Sequence, residues 1–252
     1  MDHDVVVAID GPAGSGKSTV ARAVADRTGL RYLDTGSTYR ALTLGLLREG
    51  VPVDDPLAVA AGTPEIRLAL QLDQAPGAAS RVLLDGEELR PEQLRSQAVN
   101  DAVSAVSAVP EVRERLVELQ RAAMADGGVV AEGRDVGATV WPGAEVKVFL
   151  TASAAERARR RAAPTNGGSG SNGPGNGGGE SAEAVARRDR LDSRRAASPT
   201  RPGEGAVVVD TTDVPVDRVV GQVVELVEAA RARARAQTQT QTRAGTQTGH
   251  PR

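Results

Sequence analysis

One stretch near the amino end constrains this chain more than any other: Val5–Asp10 (VVVAID) running into Gly11–Ser18 (GPAGSGKS). The first part is short, apolar and β-branched, as a strand buried on both faces must be. The second satisfies G-x-x-x-x-G-K-[ST]. Val20, Ala21, Val24 and Ala25 then recur at helical spacing, and Gly29 ends the run. Strand, glycine loop and helix in this order form a phosphate cradle. Glycines let backbone N–H groups curl around phosphate oxygens, and the helix N-terminus adds its positive dipole. Gly11, Pro12, Ala13, Gly14, Ser15, Gly16, Lys17, Ser18 and Thr19 are therefore expected at a nucleoside triphosphate. Lys17 would reach the β- and γ-phosphates, and the Ser18 hydroxyl would ligate Mg²⁺. Of 31 basic residues only Lys17 and Lys147 are lysine. In a chain that otherwise uses arginine, a lysine here marks a specific need.

The remaining pattern sets the fold class. Apolar runs at Arg31–Asp34, Val129–Ala131, Val146–Leu150 and Ala206–Asp210 join Val5–Asp10 as five core strands. Helical patterns separate them at Ser18–Thr28, Ser37–Gly50, Pro91–Val109, Pro110–Met124, Ala154–Ala163, Ala182–Ala197 and Val216–Ala236. Alternating strands and helices predict an α/β, three-layer P-loop fold: a five-stranded parallel sheet with helices on both faces. Two insertions interrupt it. Ile66–Asp73 alternates apolar and polar residues, and a Pro-Gly turn and Arg81–Leu84 follow, which predicts a β-hairpin within residues 35–100. Residues 152–200 form an arginine-rich segment around a Gly/Asn/Ser coil at 166–179. The core then comprises 1–34, 101–151 and 201–236. The Gln/Thr-rich stretch 237–252 has no apolar face and is expected to be disordered.

Composition narrows the chemistry. The chain has no cysteine, which removes disulfides and thiolate nucleophiles and suits a reducing cytoplasm. Its two histidines, His3 and His250, lie near the ends, so an imidazole base is not expected. Reactions driven by charge and positioning remain. A net charge of −2 gives no whole-protein attraction to nucleic acid or membrane, and no apolar run is long enough to span a bilayer. The Asn-Lys-x-Asp motif of a GTPase is absent.

Arginines and carboxylates mark a second site. LDTGSTYR at 33–40 places Arg40 in a helix after the second strand, as a phosphate contact or as a solvated charge. AEGRDVG at 131–137 puts Glu132, Arg134 and Asp135 at the carboxyl end of a core strand, where open α/β sheets bind ligands. Glu132 could orient Mg²⁺-bound water, Arg134 could hold phosphate, and Asp135 could accept from a base amino group. Residues 156–201 contain ten arginines and five acids. Three readings fit: a solvated face, an RNA-binding patch, or a lid that closes over phosphates and excludes water. The absence of any aromatic residue in that segment argues against stacking RNA bases.

Five stretches occur in one order: IDGPAGSGKST, LDTGSTYRAL, VSAVSAVPEVRERLVELQR, VVAEGRDVG and RRDRLDSRRAASP. With them, residues 4 to about 230 resemble bacterial cytidylate kinases, of the P-loop nucleoside monophosphate kinase superfamily. The hairpin insert is similar to the enlarged nucleoside monophosphate (NMP) domain of those enzymes. The resemblance implies phosphorylation of CMP and dCMP by ATP, with Mg²⁺. It implies that Thr35 and Arg40 contact the acceptor nucleotide, and that Ser104, Arg113 and Asp135 read cytosine. It implies that Arg134 and Arg188 hold the acceptor phosphate, that Asp192 bonds the sugar with Arg195 nearby, and that Arg157 and Arg161 are lid arginines on the ATP side. Lys17, Arg134 and Arg188 would be the catalytic set. A monomer acting on small nucleotides is expected. There are two departures from the family pattern. Ser37–Thr38 stands where Ala-Met is usual, and the coil at 166–179 replaces a helical lid tip, which predicts a looser lid.

Overall fold

A computed structural model describes residues 4–162 and 201–247. The central strand is β1 (Asp4–Asp10), and α1 (Lys17–Thr28) follows the glycine loop. Then come β2 (Arg31–Asp34) and α2 (Thr35–Arg48). After the insert, α6 (Pro110–Met124) leads to β6 (Gly127–Gly133), a π-helical turn at Val136–Val140, β7 (Val146–Thr151) and α7 (Ala154–Ala162). The strand β8 (Val207–Asp210) and the helix α8 (Val216–Gln247) complete the core. The five strands lie in the order β2-β6-β1-β7-β8, and every pairing is parallel. The predicted fold class is what is observed.

Residues of β1 alternate between two apolar layers. Val5, Val7 and Ile9 pack with Val20 and Val24 of α1 and with Val219, Val223 and Val227 of α8. Val6 and Ala8 face the opposite layer, with Leu33, Val117, Val129 and Val136. Burial on both faces explains why this strand reads as an uninterrupted apolar run. Arg231 of α8 fastens the first layer at its edge, with Nη2 2.7 Å from the Asp4 carboxylate and Nη1 donating to the Thr28 carbonyl at 3.0 Å.

The insert has its own core. It contains α3 (Pro56–Gly62), β3 (Leu68–Gln71), β4 (Arg81–Leu84), β5 (Glu87–Glu88), α4 (Pro91–Leu94) and α5 (Gln97–Val106). The expected hairpin is present and gains a third strand, with antiparallel order β3-β4-β5. Leu42, Leu46, Val59, Ile66, Leu84, Val106 and Leu116 are buried together between this sheet and α2, α5 and α6.

The helix α3, the strand β5 and the π-helical turn were not expected, and three expected elements have other bounds. The single helix expected over Pro91–Val109 is two, because the chain turns extended at Ser96 (φ −54°, ψ 153°) and Asn100 Nδ2 captures the Arg95 carbonyl at 2.8 Å. The strand at Val129–Ala131 extends to Gly127–Gly133. The last helix continues past Ala236 to Gln247, where disorder was expected. No glycine or proline lies between Gln222 and Ala244, and Ala, Arg and Gln are strong helix formers. The coil at 166–179, the helix expected at Ala182–Ala197, and Arg188, Asp192 and Arg195 lie outside the described residues.

Candidate active site

Carboxyl ends of β1, β2 and β6 meet at one edge of the sheet, and the expected donor loop leaves from β1. Three of its glycines have positive φ: Gly11 (149°), Gly14 (78°) and Gly16 (89°). A side chain could not be accommodated at the first two. A Cβ on Gly11 would lie 2.0 Å from the Leu150 carbonyl oxygen, and one on Gly14 would lie 2.8 Å from that of Arg157. The loop is thus pressed against the end of β7 and the start of α7. Ser15 is buried, its Oγ donating to the Pro12 carbonyl at 3.0 Å, and Lys17 Nζ donates to the same carbonyl at 2.7 Å. Ser18 and Thr19 are exposed on the first turn of α1.

Behind the loop sits Glu132, 3% exposed at the end of β6. It accepts from Ser18 Oγ at 2.9 Å and from Tyr32 OH at 2.5 Å. Burial pushes its carboxyl up to about 7, and the Asp34 charge adds to the rise. Lys17 and the two hydroxyl donors pull the other way. The oxygens of Ser18, Glu132 and Asp34 are hard donors of the kind Mg²⁺ prefers, so this corner fits that ion.

Where the acceptor is expected, Arg113 of α6 forms a close charge pair with Asp135. Nη2 lies 2.5 Å from Oδ2, and the side chains are 7% and 9% exposed. The Arg113 guanidinium also lies 5.8 Å from the centroid of the Tyr39 ring. Arg134 bends back, its Nη1 donating to the Gly11 carbonyl at 3.4 Å. Arg40 of α2 donates to the Leu94 carbonyl at 3.1 Å and to Asn100 Oδ1 at 2.7 Å, which holds it against the α4–α5 elbow. Ser104 is half-buried on α5, and its carbonyl accepts from Ser107 Oγ at 3.2 Å.

Thr35 is buried, and its hydroxyl donates to the Glu132 carbonyl at 2.6 Å, tying the start of α2 to β6. The polar departure at Ser37–Thr38 is satisfied locally. Ser37 Oγ donates to the Asp34 carbonyl at 2.6 Å. Thr38 Oγ1 donates to the Thr35 carbonyl at 2.7 Å and accepts from Gln120 Nε2 at 2.8 Å.

Arg157 of α7 lies on the donor loop, Nη1 donating to the Ala13 carbonyl at 3.3 Å. The backbone of Arg161 belongs to α7, and its side chain is outside the described part. The structure therefore brings Lys17, Ser18, Arg113, Arg134, Asp135 and Arg157 around one sheet edge.

Asp10, Tyr32 and Thr211 escaped the sequence reading, and Arg160 was legible only as one of the arginines of 156–201. Asp10 ends β1, almost fully buried, with burial raising its carboxyl to about 6. Tyr32 braces Glu132. Arg160 and Thr211 form a node in which Arg160 Nη1 donates to Thr211 Oγ1 at 3.0 Å, and that hydroxyl donates to the Ser15 carbonyl at 3.1 Å. Of the three that escaped, Asp10 left a signal: a carboxylate closing an otherwise apolar strand.

Comparison with known proteins bears on this geometry. A family model described as Cytidylate kinase matches residues 7–229. A cytidylate kinase of Rhodococcus opacus (strain B4) is 47% identical over 224 residues, covering 88% of this chain and 94% of that protein. One from Streptomyces avermitilis is 45% identical over 232 residues, covering 90% and 94%. One from Pelotomaculum thermopropionicum is 46% identical over 225 residues, covering 89% and 96%.

Proposed function

The chain belongs to the cytidylate kinase family and transfers the γ-phosphoryl group of ATP to CMP, and from that premise we propose which of its side chains hold each substrate. The nucleophile is an oxygen of the CMP phosphate, which is already anionic. No strong general base is needed, and a chain whose two histidines stand at positions 3 and 250 suffices. Catalysis falls on positioning and electrostatic stabilisation of the transferring group.

The donor sits in the loop Gly11–Thr19, with Lys17 on its terminal phosphates and Arg157 and Arg161 on the α7 side. Ser18 would hold Mg²⁺, with Glu132 behind it, and the ion would neutralise phosphate charge when bound. Cytosine presents an N4 amino donor and N3 and O2 acceptors. Asp135 accepts from the amino group, while Arg113 and Ser104 donate to the ring acceptors. The buried Arg113–Asp135 pair carries this reading, because its paired donor and acceptor match the edge of cytosine. Arg40 and Arg134 hold the acceptor phosphate, and Thr35, whose hydroxyl is tied to the Glu132 carbonyl, belongs to the same nucleotide site. Arginine suits the task because its planar fork binds phosphate oxygens bidentately.

The resemblance in RRDRLDSRRAASP supports Arg188 at the same phosphate, Asp192 at the sugar and Arg195 nearby. Residues 35–100 then serve as the acceptor-binding region and 152–200 as the lid over the core. The same pocket takes dCMP, and the enzyme works as a cytoplasmic monomer. No described helix is long and apolar enough to cross a membrane. Steady-state kinetics with each substrate varied in turn test the assignment. Arg40→Ala raises the KM for CMP and leaves that for ATP near the wild-type value. An equal rise for both substrates removes Arg40 from the acceptor site.

A further inference from the structure

We infer that Asp10 is a positioning residue for acceptor selection, fixing the Asp135 turn against the strand that launches the phosphate loop. The inference rests on the reading of Arg113 and Asp135 as the cytosine contacts. Asp10 is the last residue of β1 and is 4% exposed. Its Oδ1 accepts from the Val136 amide at 2.7 Å and its Oδ2 from the Gly137 amide at 2.8 Å. These are the two amides directly after Asp135, at the start of the π-helical turn. First-turn N–H groups have no partner within their own turn. Here a carboxylate from another strand supplies one oxygen to each.

The other end of the Asp135–Val136 peptide is held as well. Its carbonyl accepts from the amides of Ala138, Thr139 and Val140 at 3.3, 2.8 and 3.3 Å. The peptide unit that follows Asp135 (φ −154°, ψ 26°) is therefore held at both its carbonyl and its amide, directly after the residue that pairs with Arg113. The approach is close because Gly137 has no side chain. A Cβ there would lie 3.3 Å from Ala8 Cβ and 3.4 Å from Asp10 Oδ2. Gly11 follows Asp10 directly, and its carbonyl accepts from Arg134. One residue thus links the start of the donor loop to the residues that face the acceptor. Asparagine cannot replace it, since an amide offers an acceptor to only one of the two N–H groups.

The full chain is assayed as wild type, Asp10→Asn, Asp135→Ala and the double variant, with each substrate varied and thermal unfolding followed in parallel. Asp10→Asn raises the KM for CMP by about tenfold, the scale of a lost hydrogen bond to a charged group. The KM for ATP stays near wild type. In the Asp135→Ala background Asp10→Asn adds little, because both changes remove one placement. Gly137→Ala, whose Cβ crowds the turn against Ala8 and Asp10 while leaving the carboxylate in place, gives the same pattern if Asp10→Asn folds poorly. Equal rises in both KM values, or additive effects in the double variant, overturn the inference. A merely structural role would lower the unfolding temperature without separating the two KM values. If Asp135→Ala leaves the KM for CMP unchanged, the cytosine assignment itself fails and takes this inference with it. If that variant responds and neither Asp10→Asn nor Gly137→Ala does, only the role of Asp10 fails.

Discussion

Arg113 and Asp135 form a salt bridge at 2.5 Å with both side chains less than a tenth exposed, at the edge where the insert meets the core sheet. Two charges withdrawn from water in this way contribute little net stability, but removing one partner is costly. Asp135→Ala should therefore destabilise the protein by about 3–5 kcal/mol in denaturant titrations. Replacing both residues with apolar ones of similar volume should cost less than Asp135→Ala alone. A double variant at least as unstable as the single one would show that the pair is stabilising on balance.

Lys17 is half-exposed, and its Nζ donates to the carbonyl of Pro12 in its own loop. Lys17→Ala should lower kcat by about 100-fold or more, the scale of losing one placed charge at a phosphoryl transition state. The unfolding temperature should barely move. Turnover like that of the wild type would refute the role given to Lys17.

Gly14 has φ +78°, and an added Cβ would meet the backbone of Arg157. Gly14→Val should push α7 from the loop, adding strain of about 1–3 kcal/mol. The KM for ATP should rise more than the KM for CMP. The opposite ranking would show that α7 does not seat the donor.

Burial raises the Asp10 carboxyl from 3.8 to about 6, even though two backbone amides and Lys17 oppose the shift; Asp135 adds to it. A raised carboxyl pKa means that the folded state holds its proton more tightly than the unfolded chain does. Stability from this group is present at low pH and is lost as pH climbs from about 4 to about 6. Asparagine does not titrate. The unfolding temperature of Asp10→Asn relative to wild type should therefore improve across that window and stay flat above about pH 7. A difference that does not change with pH would contradict the burial argument.

The phosphate-loop half of the candidate site was legible because its geometry is local. Gly11–Ser18 carries its loop, helix start and lysine within eight consecutive residues, and the alternation of strands and helices set the parallel sheet. Arg134 and Asp135 were legible from their place after an apolar strand. What the sequence hid depends on contacts between distant segments. Tyr32 braces Glu132 across 100 positions, and Asp10 bonds to amides 126 and 127 positions away. Neither pairing leaves a periodic trace. The break at Ser96 was hidden for a similar reason, since a side-chain bond from Asn100 competes with helix continuation. Past Ala236, helix propensity outweighed the polar composition from which disorder was expected.

The most direct test of acceptor choice is ADP release measured with CMP, dCMP, UMP, AMP, GMP and dTMP as alternative acceptors, for the wild type and Asp135→Ala. CMP and dCMP should give the highest kcat/KM with the wild type, and Asp135→Ala should erase most of that preference. Preference for another acceptor, or an unchanged preference in Asp135→Ala, would contradict recognition of cytosine by the Arg113–Asp135 pair.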